Sequence, residues 1–277
     1  MIVVEGLFHS YTNDENYAVS DVSFTVGDGE IVGFVGKNGA GKSTTIRAIV
    51  NMIFPTKGKI TVNGLDAVQN AKEIKGFLGY MSSDCALYDN VTVLELFKFC
   101  VEFSDVKIEK AEELAKYFEL NLDKKISELS LGNRKKVSII QSLLKDSDVL
   151  ILDEPTNGLD PLMQSKFFEL IVKKKEEGTA VFLSSHNLSE IEKYCDKVII
   201  IKDGKIVDRI DMKSVTIKHK QVVNYKTFDG EQKVFDFDGD INELVAELSK
   251  IKLNSLEIKT KTVEEEFIKY YEGGEQR

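Results

Sequence analysis

A chain of 277 residues can hold one large domain and a smaller one, with a sizeable core. Its 42% hydrophobic and 30% charged residues describe an ordinary soluble composition, and a net charge of -9 argues against a dedicated nucleic-acid binder. Cys85, Cys100 and Cys195 follow no metal or disulfide spacing, so each is expected to be a small apolar residue in a reducing compartment. The first residues lack the basic and apolar regions of a signal peptide, and no stretch approaches the roughly 18 apolar residues of a spanning helix. A role at a membrane would need another chain to span it.

In chain order, residues 1 to about 35 read as strands, with alternation over 22–26 and a turn at 27–29. An apolar strand at 31–35 runs into Gly36-Lys37-Asn38-Gly39-Ala40-Gly41-Lys42-Ser43-Thr44, and an apolar-periodic helix follows. Strand, glycine loop and helix together fit the phosphate-binding pattern G-x-x-x-x-G-K-[ST]. A triphosphate needs inward-pointing backbone N–H groups, which side chains at those turns would obstruct. The helix N-terminus adds partial positive charge. Lys42 can reach the β- and γ-phosphates, and Ser43 can ligate magnesium.

Beyond a turn at 55–58, strands are expected at 59–64 and 77–81. From Thr92 to about Leu144 the period becomes helical, opened by the capping box Thr92-Val93-Leu94-Glu95. Helices are expected at 110–118 and 131–144, the second capped by Ser130. An apolar strand at 149–152 delivers Asp153 and Glu154 at its C-terminal end. In that place Asp153 can hold magnesium, and Glu154 can take a proton from water attacking a γ-phosphate. A helix starts near Pro161 with Asp160 as its cap, a strand spans 179–184, and Asn187 caps another helix. Strands at 198–201 and 205–210 close this part.

Composition shifts near Lys213. The tail reads as a hairpin around Asp229-Gly230, a helix at 242–248, a strand at 255–259 and a capped helix at 262–271. The expected architecture is therefore α/β over 1–212, with an inserted helical subdomain at about 92–145, and a small α+β extension over 213–277.

In this order and spacing, residues 1 to about 212 resemble the ATP-binding subunit of ABC transporters. The loop at 36–44 is similar to that family's Walker A, and 129–133 to its LSGGQ signature. Residues 149–154 are similar to Walker B with the catalytic glutamate, 158–160 to the D-loop, and 184–186 to the switch-histidine segment. The resemblance implies a P-loop NTPase fold of ABC type with an antiparallel β subdomain. It implies ATP and Mg2+ as ligands. Lys42, Glu154 and His186 would be catalytic. Gly36, Asn38, Gly39, Gly41, Lys42, Ser43 and Thr44 would hold the phosphates, and Ser43 and Asp153 the metal. Tyr11 stands where an aromatic stacks on adenine, with Tyr17 as a rival.

The resemblance further implies a head-to-tail dimer in which Ser130, Gly132 and Asp160 serve the nucleotide at the shared interface. It implies a separate transmembrane permease, and a cytoplasmic location, peripheral on the inner face of the cell membrane. Two departures stand out. Ser83 occupies the column of a glutamine that contacts magnesium or water, so Asp84 or a water would fill in. Leu131-Gly132-Asn133 replaces Gly-Gly-Gln. The tail at 254–258 and 262–268 is similar to the endings of export-type subunits, which favours export over import. A soluble ABC-type ATPase is the other alternative; it is disfavoured because the chain has neither a long coiled coil nor a second cassette. The intact Lys42, Asp153, Glu154 and His186 argue against a non-hydrolysing binding module.

Overall fold

Burial alternates along strand β1 (Ile2–His9), with Ile2, Val4, Leu7 and His9 inward. The step from Val4 to Leu7 is three residues rather than two, and the pairing register to both neighbours shifts in this stretch, as a bulge requires. β1 lies between β2 (Val19–Val26) and β4 (Lys57–Val62), and the short β5 (Leu65–Asp66) extends this antiparallel sheet beyond β4.

The second sheet has six strands. Its centre is β3 (Ile31–Val35), β8 (Ala180–Ser185) and β7 (Val149–Asp153), paired in parallel and buried along their whole length. Continuous apolar runs such as Val149-Leu150-Ile151-Leu152 are what a parallel sheet covered on both faces demands. Outside these lie β6 (Leu78–Met81) on one side, then β9 (Lys197–Lys202) and β10 (Lys205–Asp211) on the other. Helices α1 (Lys42–Ile49), α6 (Pro161–Glu176) and α7 (Leu188–Tyr194) follow β3, β7 and β8. Between β6 and β7 the chain makes α3 (Val93–Glu102), α4 (Ile108–Tyr117), a 3-10 turn (Ile126–Glu128) and α5 (Leu131–Leu143), preceded by α2 (Ala71–Phe77) before β6.

The two sheets share one core. Phe24 of β2 stacks on Phe182 of β8 at 5.0 Å, and Phe34 of β3 lies 5.2 Å from Phe182. Helix α2 and strand β5 were not expected from the sequence. α2 buries only Ile74, so its seven residues carry too little apolar periodicity to stand out.

This computed structural model describes residues 1–12, 16–84, 86–102, 104, 106–212 and 221–260, and the chain divides into two compact units, Met1–Arg209 and Ile210–Arg277. In the second unit β11 (Gln221–Thr227) pairs antiparallel with β12 (Gln232–Phe237) and β13 (Leu253–Thr260). Helix α8 (Ile241–Leu248) is capped by Asp240 and buries Leu244 and Leu248 with Val223 and Tyr225. The hairpin turns at Asp229-Gly230, as expected; the helix expected at 262–271 and Cys85 lie outside the described residues. Cys195 is buried and Cys100 half-buried. Among the described residues no helix is long and apolar enough to cross a membrane.

Phe182 is the ring on which both sheets close. Phe182→Ala is expected to lose about 3–5 kcal/mol of unfolding free energy, as large core truncations do. Urea denaturation measures this, and a loss near zero would place the joint between the sheets elsewhere.

Candidate active site

The parallel pairing sets the C-terminal ends of β3, β8 and β7 side by side, with Val35 opposite Ser185 and Asp153 opposite Ser184. Whatever follows these strands converges at one edge of the sheet, where open α/β folds bind ligands. Three segments do so: the loop at 36–41, Glu154 and His186.

The loop is glycine for steric reasons. A Cβ on Gly36 would lie 2.5 Å from the Ile201 carbonyl oxygen. One on Gly41, at φ 105°, would lie 2.8 Å from Val19 Cγ1. No side chain caps α1, so its first-turn N–H groups are left for a ligand. Lys42 in that turn is only 6% exposed. Its Nζ donates to the Gly36 carbonyl at 2.6 Å and stands 3.5 Å from Glu154 Oε1. An ammonium at that depth costs several kcal/mol unless paired, and these partners provide the pairing.

Asp153 ends β7 fully buried. The Ser184 hydroxyl donates to Asp153 Oδ1 at 2.6 Å and accepts from the Glu154 N–H at 2.9 Å, so one side chain of β8 fixes two consecutive residues of β7. Glu154 adopts φ 50°, the left-handed region that a residue with a Cβ enters at a cost of order 1–3 kcal/mol. That turn aims its carboxylate back over the loop. Glu154 Oε2 then accepts a hydrogen bond from His186 Nδ1 at 2.6 Å. The carboxylate is held between an ammonium and an imidazole.

A cleft of about 310 Å³ opens here. Of the residues expected from the sequence, Asn38, Gly39, Gly41, Lys42, Ser43, Thr44, Glu154 and His186 line it; Ala18, Lys37, Ser83 and Asn157 join them. Gly36 contributes through its carbonyl to Lys42, and Asp153 sits below, against Ser184. Tyr11 is 59% exposed, and its hydroxyl lies 3.2 Å from Thr44 Oγ1 at the rim. Its rival Tyr17 packs edge-on against Phe8 with Lys57 over its ring.

Ser130, Gly132 and Asp160 do not line this cleft. Ser130 caps α5, accepting from the Asn133 N–H, and Asp160 caps α6, accepting from the Met163 N–H at 3.0 Å. A Cβ on Gly132 would meet the Gly158 carbonyl at 2.9 Å, so the start of α5 and the turn before α6 lie against one another. Asp84 is exposed, with its carboxylate 3.5 Å from the Arg47 guanidinium. The neighbouring Ser83 carbonyl accepts from Nζ of Lys135, a buried residue of α5. Among the described residues no group of three His, Cys, Asp or Glu side chains gathers as a metal cage.

Nothing local in the sequence marks Ser184 or Lys135 for the contacts they make. Ser184 sits within an apolar strand and Lys135 among cationic neighbours; only the fold reveals their partners.

The family model described as ABC transporter matches residues 19–157. The chain is 35% identical over 206 residues to the ABC transporter ATP-binding protein NatA of Bacillus subtilis (strain 168), spanning 72% of this chain and 83% of that protein. It is 34% identical over 223 residues to the bacitracin transport ATP-binding protein BcrA of Bacillus licheniformis, spanning 78% and 72%. A solved structure titled as the ATP binding subunit of an ABC transporter superposes with a TM-score of 0.72 at 29% identity, covering 78% of this chain and 92% of that one.

Removing the Ser184 hydroxyl strands the Glu154 N–H and a lone pair of Asp153. Ser184→Ala is expected to cost about 1–3 kcal/mol of stability, the penalty of buried unsatisfied groups. Chemical denaturation beside the wild type checks this; an unchanged midpoint would mean that water replaces the hydroxyl.

Proposed function

The chain belongs to the ABC transporter family as an ATP-binding protein, and from that premise we propose that it hydrolyses ATP to power a separate membrane-spanning permease that works as an exporter. The observation that carries this reading is the Glu154 carboxylate, held between Lys42 Nζ and His186 Nδ1 at the mouth of the glycine loop. A base, a cation and a helix N-terminus converge where a γ-phosphate would sit.

Each residue then has a task. The α1 amides and Gly39, Gly41, Ser43 and Thr44 receive the phosphates, with Gly36 and Asn38 shaping the loop. Lys42 exchanges Glu154 for the β- and γ-phosphates and offsets the charge that develops there. Glu154 accepts a proton from the water that attacks phosphorus, and the bond to the bridging oxygen of ADP breaks. His186 orients that water and contacts the γ-phosphate. Tyr11 stacks on adenine at the rim.

Ser43 and Asp153 would offer a hydroxyl and a carboxylate, hard-oxygen donors of the kind that suit Mg2+ bound jointly with phosphates. The ion would neutralise charge on the phosphate oxygens. Asp84 is a weaker candidate, since Arg47 already faces it.

One chain supplies only part of the site. Ser130 and Gly132 lie at an exposed helix start away from their own cleft, and this supports a head-to-tail dimer in which they serve the partner's nucleotide, with Asp160 at the same interface. The permease binds the cargo and holds this subunit at the cytoplasmic face of the membrane. The export direction rests on the tail, whose stretches at 254–258 and 262–268 are similar to the endings of export-type subunits. We assign residues 1–212 as the ATP-binding domain, with 92–145 as its helical subdomain and 213–277 as an extension.

Glu154→Gln is expected to keep ATP binding, slow hydrolysis by about 100-fold or more, and elute as a dimer with ATP in size-exclusion chromatography. A monomeric elution would count against the shared site, and a wild-type rate would remove Glu154 from the chemistry. Chelation by EDTA is expected to abolish hydrolysis and Mg2+ to restore it; activity that survives chelation would contradict the metal assignment.

A further inference from the structure

The loop that follows Glu154 and the helix that follows His186 are joined a second time, behind the cleft. The Thr156 hydroxyl donates to Glu190 Oε2 at 2.7 Å, and both residues are buried. Glu190, only 8% exposed, stands in the first turn of α7, whose start is set by the Asn187 cap. Its other oxygen, Oε1, has no hydrogen-bond partner among the described residues. Burial pushes the carboxyl above the usual glutamate range; the Thr156 and Asn187 side chains and nearby His186 oppose the shift, and Glu154 adds to it.

A carboxylate buried with one oxygen unsatisfied costs stability, and an apolar side chain of that size would be easier to place there. What the carboxylate supplies is a tether. Glu154 to His186 at 2.6 Å is one bond between residues 154–156 and residues 186–190; Thr156 to Glu190 is the other. The strand pairing and the Ser184 bonds already hold the two segments at their roots. The Thr156–Glu190 bond adds a constraint further along, where the loop after β7 meets the first turn of α7. The Thr156 carbonyl also accepts from the Leu159 N–H at 3.1 Å, which seats the turn whose Gly158 meets the start of α5.

We propose that Glu190 is a positioning residue for hydrolysis: through Thr156 it holds the loop after β7 so that the Glu154 carboxylate faces His186 and the cleft. Glu190 does not touch the reacting atoms. It keeps the base and the orienting imidazole in one geometry, and it keeps the turn at 156–159 against α5. The inference rests on the ATPase reading above.

The test is steady-state ATP hydrolysis by the full chain, with thermal melting run in parallel. Glu190→Ala and Thr156→Val are each expected to lower kcat by about tenfold while KM for ATP stays within about twofold, because misplaced catalytic groups slow the chemical step rather than binding. The double variant is expected to be no slower than either single one, because both remove the same bond. Glu190→Gln keeps an oxygen for the Thr156 hydroxyl and is expected to recover most of the rate. A wild-type kcat in Thr156→Val, losses that multiply in the double variant, or a rise in KM at constant kcat would each overturn the proposal. Thr156→Val preserves shape, so it decides the matter even where Glu190→Ala melts early. In the same assay, loss of wild-type hydrolysis in Glu154→Gln verifies the ATPase reading independently, so a flat result at Glu190 and Thr156 counts against the tether alone.

Discussion

The site depends on the register of three buried parallel strands. β3, β8 and β7 pair so that Phe34 faces Ser184, and Ser184 faces Asp153. That alignment brings together the loop at 36–41, the carboxylates at 153–154 more than a hundred residues later, and the imidazole at 186, about 30 residues beyond those. Side chains alternate between the faces of a strand, so a slip of one residue in β8 would turn Ser184 away from Asp153. Phe182, two residues before Ser184, is set between Phe24 and Phe34 and anchors the register from the core.

The electrostatics follow from this placement. Lys42 is buried where loop carbonyls and Glu154 are its neighbours, so its charge is offset before any ligand arrives. An incoming polyanion competes for a cation already aimed into the cleft, with little side-chain ordering left to be done. The left-handed backbone at Glu154 is part of the same design. Strain of that kind persists where its surroundings determine it, and here the Ser184 hydroxyl on its N–H and His186 on its carboxylate do so.

Ser130 and Asp160 cap α5 and α6 in their own chain, so the first turns of both helices are stable without a partner. The same geometry leaves the start of α5 exposed, with Ser130 and Leu131 at the surface. Leu131, where the family's signature has glycine, is exposed there beside Gly158 and does not disturb the Ser130 cap. Ser83 is too short to repeat the reach of the glutamine it replaces. The contact seen at that loop runs the other way, from Lys135 of α5 to the Ser83 carbonyl, and ties the helical insertion to the cleft wall.

The sequence alone was enough to identify the glycine loop, the carboxylate strand, the capped helices and the order of elements, because each is a local pattern. A loop that must lack Cβ atoms, a strand buried on both faces and a helix that needs a cap all write their demands into adjacent residues. The tail hairpin was legible for the same reason, in alternation around Asp229-Gly230. Short α2 and β5 were not, since each spans too few residues to show a period. Tertiary structure alone decided which atoms meet. That Ser184 binds both Asp153 and Glu154, that Glu154 lies between Lys42 and His186, and that Thr156 reaches Glu190 depend on strand register and on a left-handed turn. Those contacts join residues about 30 to 110 positions apart, and no local pattern encodes a partner at that distance, because closing the chain across it is the work of the whole core.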